Sequence, residues 1–189
     1  MITRATVIVL ASLAAGAVSA APASYTVDST HAFPSFEIGH MGFSTQRGRF
    51  NRTTGNIQLD LAARKIAVDI SIDANSISTG YEKLEEHLRA EDFFDTARYP
   101  TITFKSTGAV FKGDKLTSLT GNLNLHGVTK PVTLTVNAFR CAHAPLYKKD
   151  VCGADAVATI KRSDFGMGYG IPAVDDQVKL LIQVEGHKN

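Results

Sequence analysis

Apolar residues recur at every second position through most of the chain, and this period restricts the fold more than any other feature. Ile57, Leu59 and Leu61 alternate with polar or small neighbours, as do Ile66, Val68, Ile70 and Ile72. The same pattern runs through Leu123 and Leu125, through Val132, Leu134 and Val136, and through Val178, Leu180, Ile182 and Val184. A period of two places one apolar face on an extended strand. Turn signals stand between these segments at Thr53-Thr54-Gly55, Lys112-Gly113-Asp114 and His126 to Pro131, with a longer connection from Gly166 to Gln177. Connections this short join neighbouring strands as hairpins, so the sheet is antiparallel. The spacing predicts strands near 24–39, 43–51, 54–62, 65–74, 101–112, 116–126, 131–140 and 154–164, with a candidate ninth at 178–186. So many strands pack as a sandwich or close as a barrel.

One segment departs from the period. Tyr81, Leu84 and Leu88 fall at i, i+3 and i+7 after Ser78-Thr79-Gly80, with Glu82, Lys83, Glu85, Glu86 and Arg89 between and after them. This is the pattern of a short amphipathic helix. The acidic run Glu82, Glu85, Glu86 and the neighbouring His87 read as its solvated face. A single helix inserted midway through antiparallel strands suits a barrel with a plugged or flanked end better than a symmetric sandwich. Phe93 and Phe94 then lie where the chain leaves the helix and turns toward the strand from Thr101. Two rings at such a junction point to opposite sides. The expectation is that Phe94 closes the helix end of the barrel and Phe93 anchors the helix to its wall.

The amino terminus reads as a secretory signal peptide. Arg4 precedes an apolar run from Ala5 to Ala17, and Val18-Ser19-Ala20 supplies small residues for cleavage before Ala21. Export to the periplasm follows, with roughly 169 residues left after removing 20 from 189, enough for one domain with a real core. Net charge is +2 with both signs interspersed, and no basic run is interleaved with aromatics, so nucleic acid is not an expected partner. The two cysteines, Cys141 and Cys152, flank a stretch that reads as a loop between strands. In an exported chain they are expected to pair, a local staple worth roughly 2.5 to 3 kcal/mol in the chain-entropy model. The alternative, a metal site that includes His143, lacks the four clustered ligands zinc would want.

Histidines invite an enzymatic reading, above all His31 beside Asp28 and Ser29, and His40 after Gly39. No GxSxG elbow, HExxH pair or other helix-based metal pair accompanies them. No catalytic residue and no metal ligand is therefore assigned. His31 and His40 read as structural histidines or as contacts to a ligand head group. Arg162, beside a loop, is a further head-group candidate, its alternative being an exposed arginine paired with Asp164 or Asp175.

Four ordered blocks resemble the YceI-like, polyisoprenoid-binding family of exported bacterial proteins. They are YTVDSTHAFPSFEIGHMGFSTQRGRF, DANSISTGYEKLEEHLRAEDFFDTARYPTITFKST, LTGNLNLHGVTKPVTL and IKRSDFGMGYG. The resemblance spans nearly all of the chain after the signal segment. It implies an all-β, eight-stranded antiparallel barrel similar to lipocalins, with one short helix and an apolar interior that holds a long-chain isoprenoid lipid or isoprenoid quinone. No cofactor beyond such a lipid is implied. The cysteine-closed stretch is a departure from the family pattern.

The residues allow the same interior on physical grounds. A barrel of this size fills with side chains or holds one small ligand, and inward aromatics supply walls for an apolar chain. Ten phenylalanines and no tryptophan suit that role, although the same rings could simply fill a core. The candidate lining set is Phe36, Ile38, Phe43, Phe50, Phe94, Phe104, Phe111 and Phe165. Strands of about ten residues, rising ~3.3 Å each and tilted ~40°, span roughly 25 Å, the length of about twenty carbons. Carriage of a long-chain amphiphile is the first expectation, and a hydrolase or isomerase acting on such a lipid in the same barrel is the second. Transient membrane contact and a homodimer complete the expected partnerships.

Overall fold

Strand pairing converts the period of two into a closed surface. The computed structural model describes residues 22–189, so the segment read as a signal peptide lies outside the described residues. Eleven strands and one helix follow in order: β1 (Ala23–Val27), β2 (Ser35–His40), β3 (Ser44–Phe50), β4 (Thr53–Asp60), β5 (Lys65–Asp73), β6 (Ile77–Ser78), α1 (Glu82–Arg89), β7 (Thr101–Lys112), β8 (Lys115–Leu125), β9 (Val128–Ala144), β10 (Lys149–Lys161) and β11 (Val174–Lys188). Every pairing is antiparallel, and β1 bonds to both β4 and β11, which closes the ring β1-β4-β5-β7-β8-β9-β10-β11. The result is an eight-stranded barrel.

The predicted ninth strand is absorbed because two staves are each built in two pieces. β11 pairs with β1 through Gly186 to Lys188 and with β2 through Val174 to Leu181, so β1 and β2 share one side of it. The expected strand 24–39 is thus interrupted between Val27 and Ser35. β3 and β4 likewise make one stave, broken only at Asn51 and Arg52, where backbone bonds cross to Ser76 and Asp73. Thr53-Thr54-Gly55 is therefore strand and not turn. Its two threonines are β-branched, a preference that extended backbone satisfies directly.

The hairpins obey local chemistry. At β8 to β9 the expected six-residue turn contracts to His126-Gly127, with φ of 53° and 74°. A two-residue turn with both φ positive matches the twist of the flanking strands. The β9–β10 hairpin differs more from expectation, because the stretch read as a loop is strand. Cys141 and Cys152 face each other directly in its ladder and form the disulfide, and only Pro145 to Lys148 turn the chain. Strands this long project beyond the ring at the end opposite the helix.

Two apolar clusters occupy the barrel. Tyr25, Val27, Ala32, Ile57, Leu59 and Cys152 pack at the end remote from the helix. The larger cluster runs through the middle and toward the helix end, with Phe50, Ile72, Ile102, Phe104, Leu123 and Leu134 among its buried members. Inward residues of β11 such as Val178, Leu180 and Ile182 are only half-buried although they sit on the inner face. They face open space inside the barrel.

Candidate functional site

That open space is a cavity of about 540 Å³, within the range of small-molecule sites. Its walls are the alternating aliphatics already named, from Ile66 to Ile72 on β5, Val132 to Val136 on β9 and Val178 to Val184 on β11. Their spacing by two is what carries every second side chain to one face. Gly48 lets the Phe36 ring of the neighbouring strand lie against β3, where an added Cβ would collide with that ring.

Aromatic rings and the helix form the other end. Phe94 packs edge-on against Phe50 at 5.5 Å between centroids and lies 6.3 Å from Phe36, joining the helix exit to β2 and β3. Phe93 turns the other way, 4.9 Å from the His87 ring and 5.5 Å from Tyr169. All five of these rings, with Phe93 itself, line the cavity. The doublet thus splits as its position suggested, but with different partners: Phe94 holds to the barrel wall and Phe93 links helix to loop. Tyr169 is half exposed and Gln46 exposed, so the cavity meets solvent between the β2–β3 hairpin, α1 and the segment before β11.

The helix is placed by a residue that the sequence pattern assigned to solvent. Glu85 accepts from the N–H of Thr79 at 2.6 Å, the N–H of Gly80 at 3.0 Å and the hydroxyl of Ser78 at 3.3 Å. Those donors, Thr79 first, hold its carboxyl below the usual carboxylate range. Glu85 ties α1 to the end of β6 and so leaves the free polar face, whereas His87 is 46% exposed as expected and also borders the cavity. Leu84 and Leu88 face the cavity as expected, whereas Tyr81 precedes the helix and is exposed.

Arg162 is buried, contrary to an exposed arginine paired with a carboxylate. Its Nε donates to the carbonyl of Asp175 at 2.8 Å, Nη1 to those of Met167 at 2.9 Å and Tyr169 at 2.8 Å, and Nη2 to that of Val174 at 2.9 Å. Burial lowers its pKa, against the pull of Asp176 and Asp175. Four of its five N–H groups are spent on the segment that borders the opening, which leaves little for a head group. The guanidinium acts as the internal frame of that loop.

The other candidates separate. Phe36, Ile38, Phe50, Phe94 and Phe104 lie together on the cavity, and His40 joins them at the end of β2. Phe43 is 87% exposed on the rim, Phe111 packs beside the remote cluster, and Phe165 is buried outside the cavity wall. His31 is also away from the cavity, with Nδ1 2.7 Å from Asp28, whose carboxyl lies 3.5 Å from His187 Nε2. Burial would raise the Asp28 pKa, but bonds from the Thr30 hydroxyl, His31 and the Thr30 N–H hold it at about 2. The same contact with Asp28 raises the pKa of His31. This pair belongs to the β1–β2 connection. Among the described residues no group of three or more His, Cys, Asp or Glu is arranged to hold a metal ion.

Among the cavity residues that the sequence pattern does not single out, three bear on the site. His87 was hidden in a charged helix, Tyr169 in a glycine-rich connection without periodicity, and Thr53 in a segment that resembles a turn. Only the helix carried a usable signal, since His87 lies three residues after Leu84.

Comparison with known proteins places this architecture. The model of the YceI-like domain matches residues 25–186. Protein YceI of Escherichia coli O157:H7 is 39% identical, over 93% of this chain and 93% of its own length. Among solved structures, the Campylobacter jejuni YceI protein superposes with a TM-score of 0.69 at 26% identity, covering 80% of this chain and 90% of that one. A polyisoprenoid binding domain from Saccharophagus degradans superposes with a TM-score of 0.65 at 20% identity, covering 88% and 99%.

Proposed function

The chain belongs to the YceI-like family, and we propose that it carries a long-chain isoprenoid-like lipid, a polyisoprenoid or an isoprenoid quinone, inside its barrel. The observation that carries this reading is the apolar cavity of about 540 Å³, walled by aliphatic side chains and reaching solvent at the aromatic, helix-flanked end. Each CH₂ moved from water onto such walls contributes about 0.8 kcal/mol before ordering costs, so a branched chain is held without a charged clamp. The polyisoprenoid binding domain among the structural neighbours supports the same class of ligand.

Carriage fits the placement of polar groups better than catalysis does. Gln46 and His87 stand near the opening, and most donors of Arg162 are spent. A hydrolase or isomerase needs a base, an acid or nucleophile and their orienting partner to converge on one reacting atom. Around the opening, Met41, Phe43, Tyr169 and Ile171 expose apolar surface, which suits brief contact with a membrane during loading and release. In this reading the protein works in the periplasm after cleavage near Ala21.

Mass spectrometry of organic extracts tests the proposal, on protein purified from the periplasmic fraction without detergent. The expected result is one isoprenoid-type lipid close to one per chain. Extracts empty of such lipid, together with no uptake of added prenols by the stripped protein, would reject carriage.

A further inference from the structure

The large apolar side chains that stay exposed are not scattered over the barrel. Among the described residues all nine lie at its two ends: Met41, Phe43, Tyr81, Tyr169 and Ile171 around the opening, and Leu61, Val110, Leu146 and Tyr147 at the opposite rim. Antiparallel pairing brings three turns to that far rim, at 61–64, 113–114 and 145–148. Leu146 is 85% exposed at the tip of the hairpin that the Cys141–Cys152 disulfide braces.

Charge divides between the same two ends. The connection from Ala74 to Pro100, which carries α1 beside the opening, has six acidic and three basic side chains. At the far rim the first turn brings Arg64 and Lys65, the second Lys112 and Lys115, and the third Lys148 and Lys149. None of these six cations forms an ion pair among the described residues. Two acidic neighbours are engaged elsewhere, since Asp60 accepts the N–H of Ala63 and Asp150 lies between His143 and Lys188, which leaves Asp114. Lys112 and Lys115 even stand directly opposite each other in their ladder. Like charges so placed cost stability, so folding alone does not account for them.

We propose that this far rim is a docking surface for an anionic phospholipid bilayer, with Leu146 and Tyr147 entering the headgroup region and the six cations resting on the negative surface. Clustered Lys and Arg draw a protein to anionic lipid, and an aliphatic and an aromatic tip add shallow apolar burial. Docked in this way the barrel stands on its far rim, and the acidic, helix-flanked opening points away from the bilayer. The surface is separate from the apolar patch at the opening. It uses no property of the cargo, so it stands or falls independently of carriage.

Co-sedimentation of the mature protein tests this, with vesicles of phosphatidylcholine alone and of phosphatidylcholine containing about 30% phosphatidylglycerol. At low salt the mixed vesicles are expected to bind on the order of a hundredfold more tightly, and ~0.5 M salt should abolish the difference. Lys148→Asn combined with Lys149→Gln should weaken binding to mixed vesicles about tenfold. Asparagine accepts the positive φ found at Lys148, so the turn is kept. Leu146→Ser should weaken the same binding about threefold. Both variants should melt as wild type does, because the altered side chains are exposed. Met41→Ser with Phe43→Ser, at the opening, should keep the preference for mixed vesicles. Equal binding to the two vesicle types, binding to neither, a preference that survives in Lys148→Asn/Lys149→Gln, or a preference lost only in the opening variant overturns the proposal. Release by millimolar glycerol phosphate, together with unchanged binding by Leu146→Ser, would make the rim a site for small anions and overturn it as a bilayer surface.

Discussion

Arg162 offers the sharpest test of how the opening is built. Replacing it with methionine keeps an unbranched apolar stem and deletes the four donated hydrogen bonds to residues 167, 169, 174 and 175. A hydrogen bond from a charged donor contributes about 1.5 to 3 kcal/mol, but four in one network are not additive. Some freed carbonyls would also regain water, since Tyr169 and Asp175 are exposed. Removal of one partner from a buried charged network typically costs about 3 to 5 kcal/mol, and that is the expected loss. For a domain of this size it lowers Tm by on the order of 10 °C.

Calorimetry reads the global effect, and amide exchange across 166–174 reads the local one. Both should change in Arg162→Met, with protection lost first in this segment. Arg162→Lys should recover little, because an ammonium cannot reproduce a planar fork that reaches carbonyls on several sides. An Arg162→Met protein with Tm within about 2 °C of wild type and unchanged exchange would refute the frame role assigned to the guanidinium.

Three further outcomes are expected. Cys141→Ser with Cys152→Ser should lower stability by roughly 3 kcal/mol in denaturant titrations, the loop-closure value for a sequence separation of 11. Glu85→Ala should raise amide exchange at Thr79, Gly80 and along α1. Since the folded pKa of Glu85 lies below its ordinary 4.5, its contribution is present above that value and fades as pH falls through the folded pKa, so wild type at acid pH should approach the variant. Phe94→Ala should cost about 2 to 3 kcal/mol because it removes contacts with Phe36 and Phe50, while Phe93→Ala should cost about 1 kcal/mol and act mainly on lipid uptake rates. Equal stability losses with unaltered uptake would assign both rings to the core alone.

The barrel was legible wherever one physical signal dominated. Inward aliphatics at 66–72, 132–136 and 178–184 needed only a period of two, because one buried face per strand leaves no freedom of register. The breaks between Val27 and Ser35 and at Asn51-Arg52 carry no such signal, since a stave made in two pieces shows the same alternation as two separate strands. That is why the alternation predicts nine strands where the ring has eight. Glu85 and Arg162 mark a different boundary: a charged side chain in sequence looks solvated, and only the folded backbone reveals N–H or carbonyl groups waiting for it. Thr53 lies at the far limit of this reasoning. A Thr-Thr-Gly run reads equally well as turn or strand, and Thr53 declares itself as strand only when β4 pairs it with Ile72 and buries it. Local polarity and local propensity disagree at this position, and pairing with β5 decides for the strand.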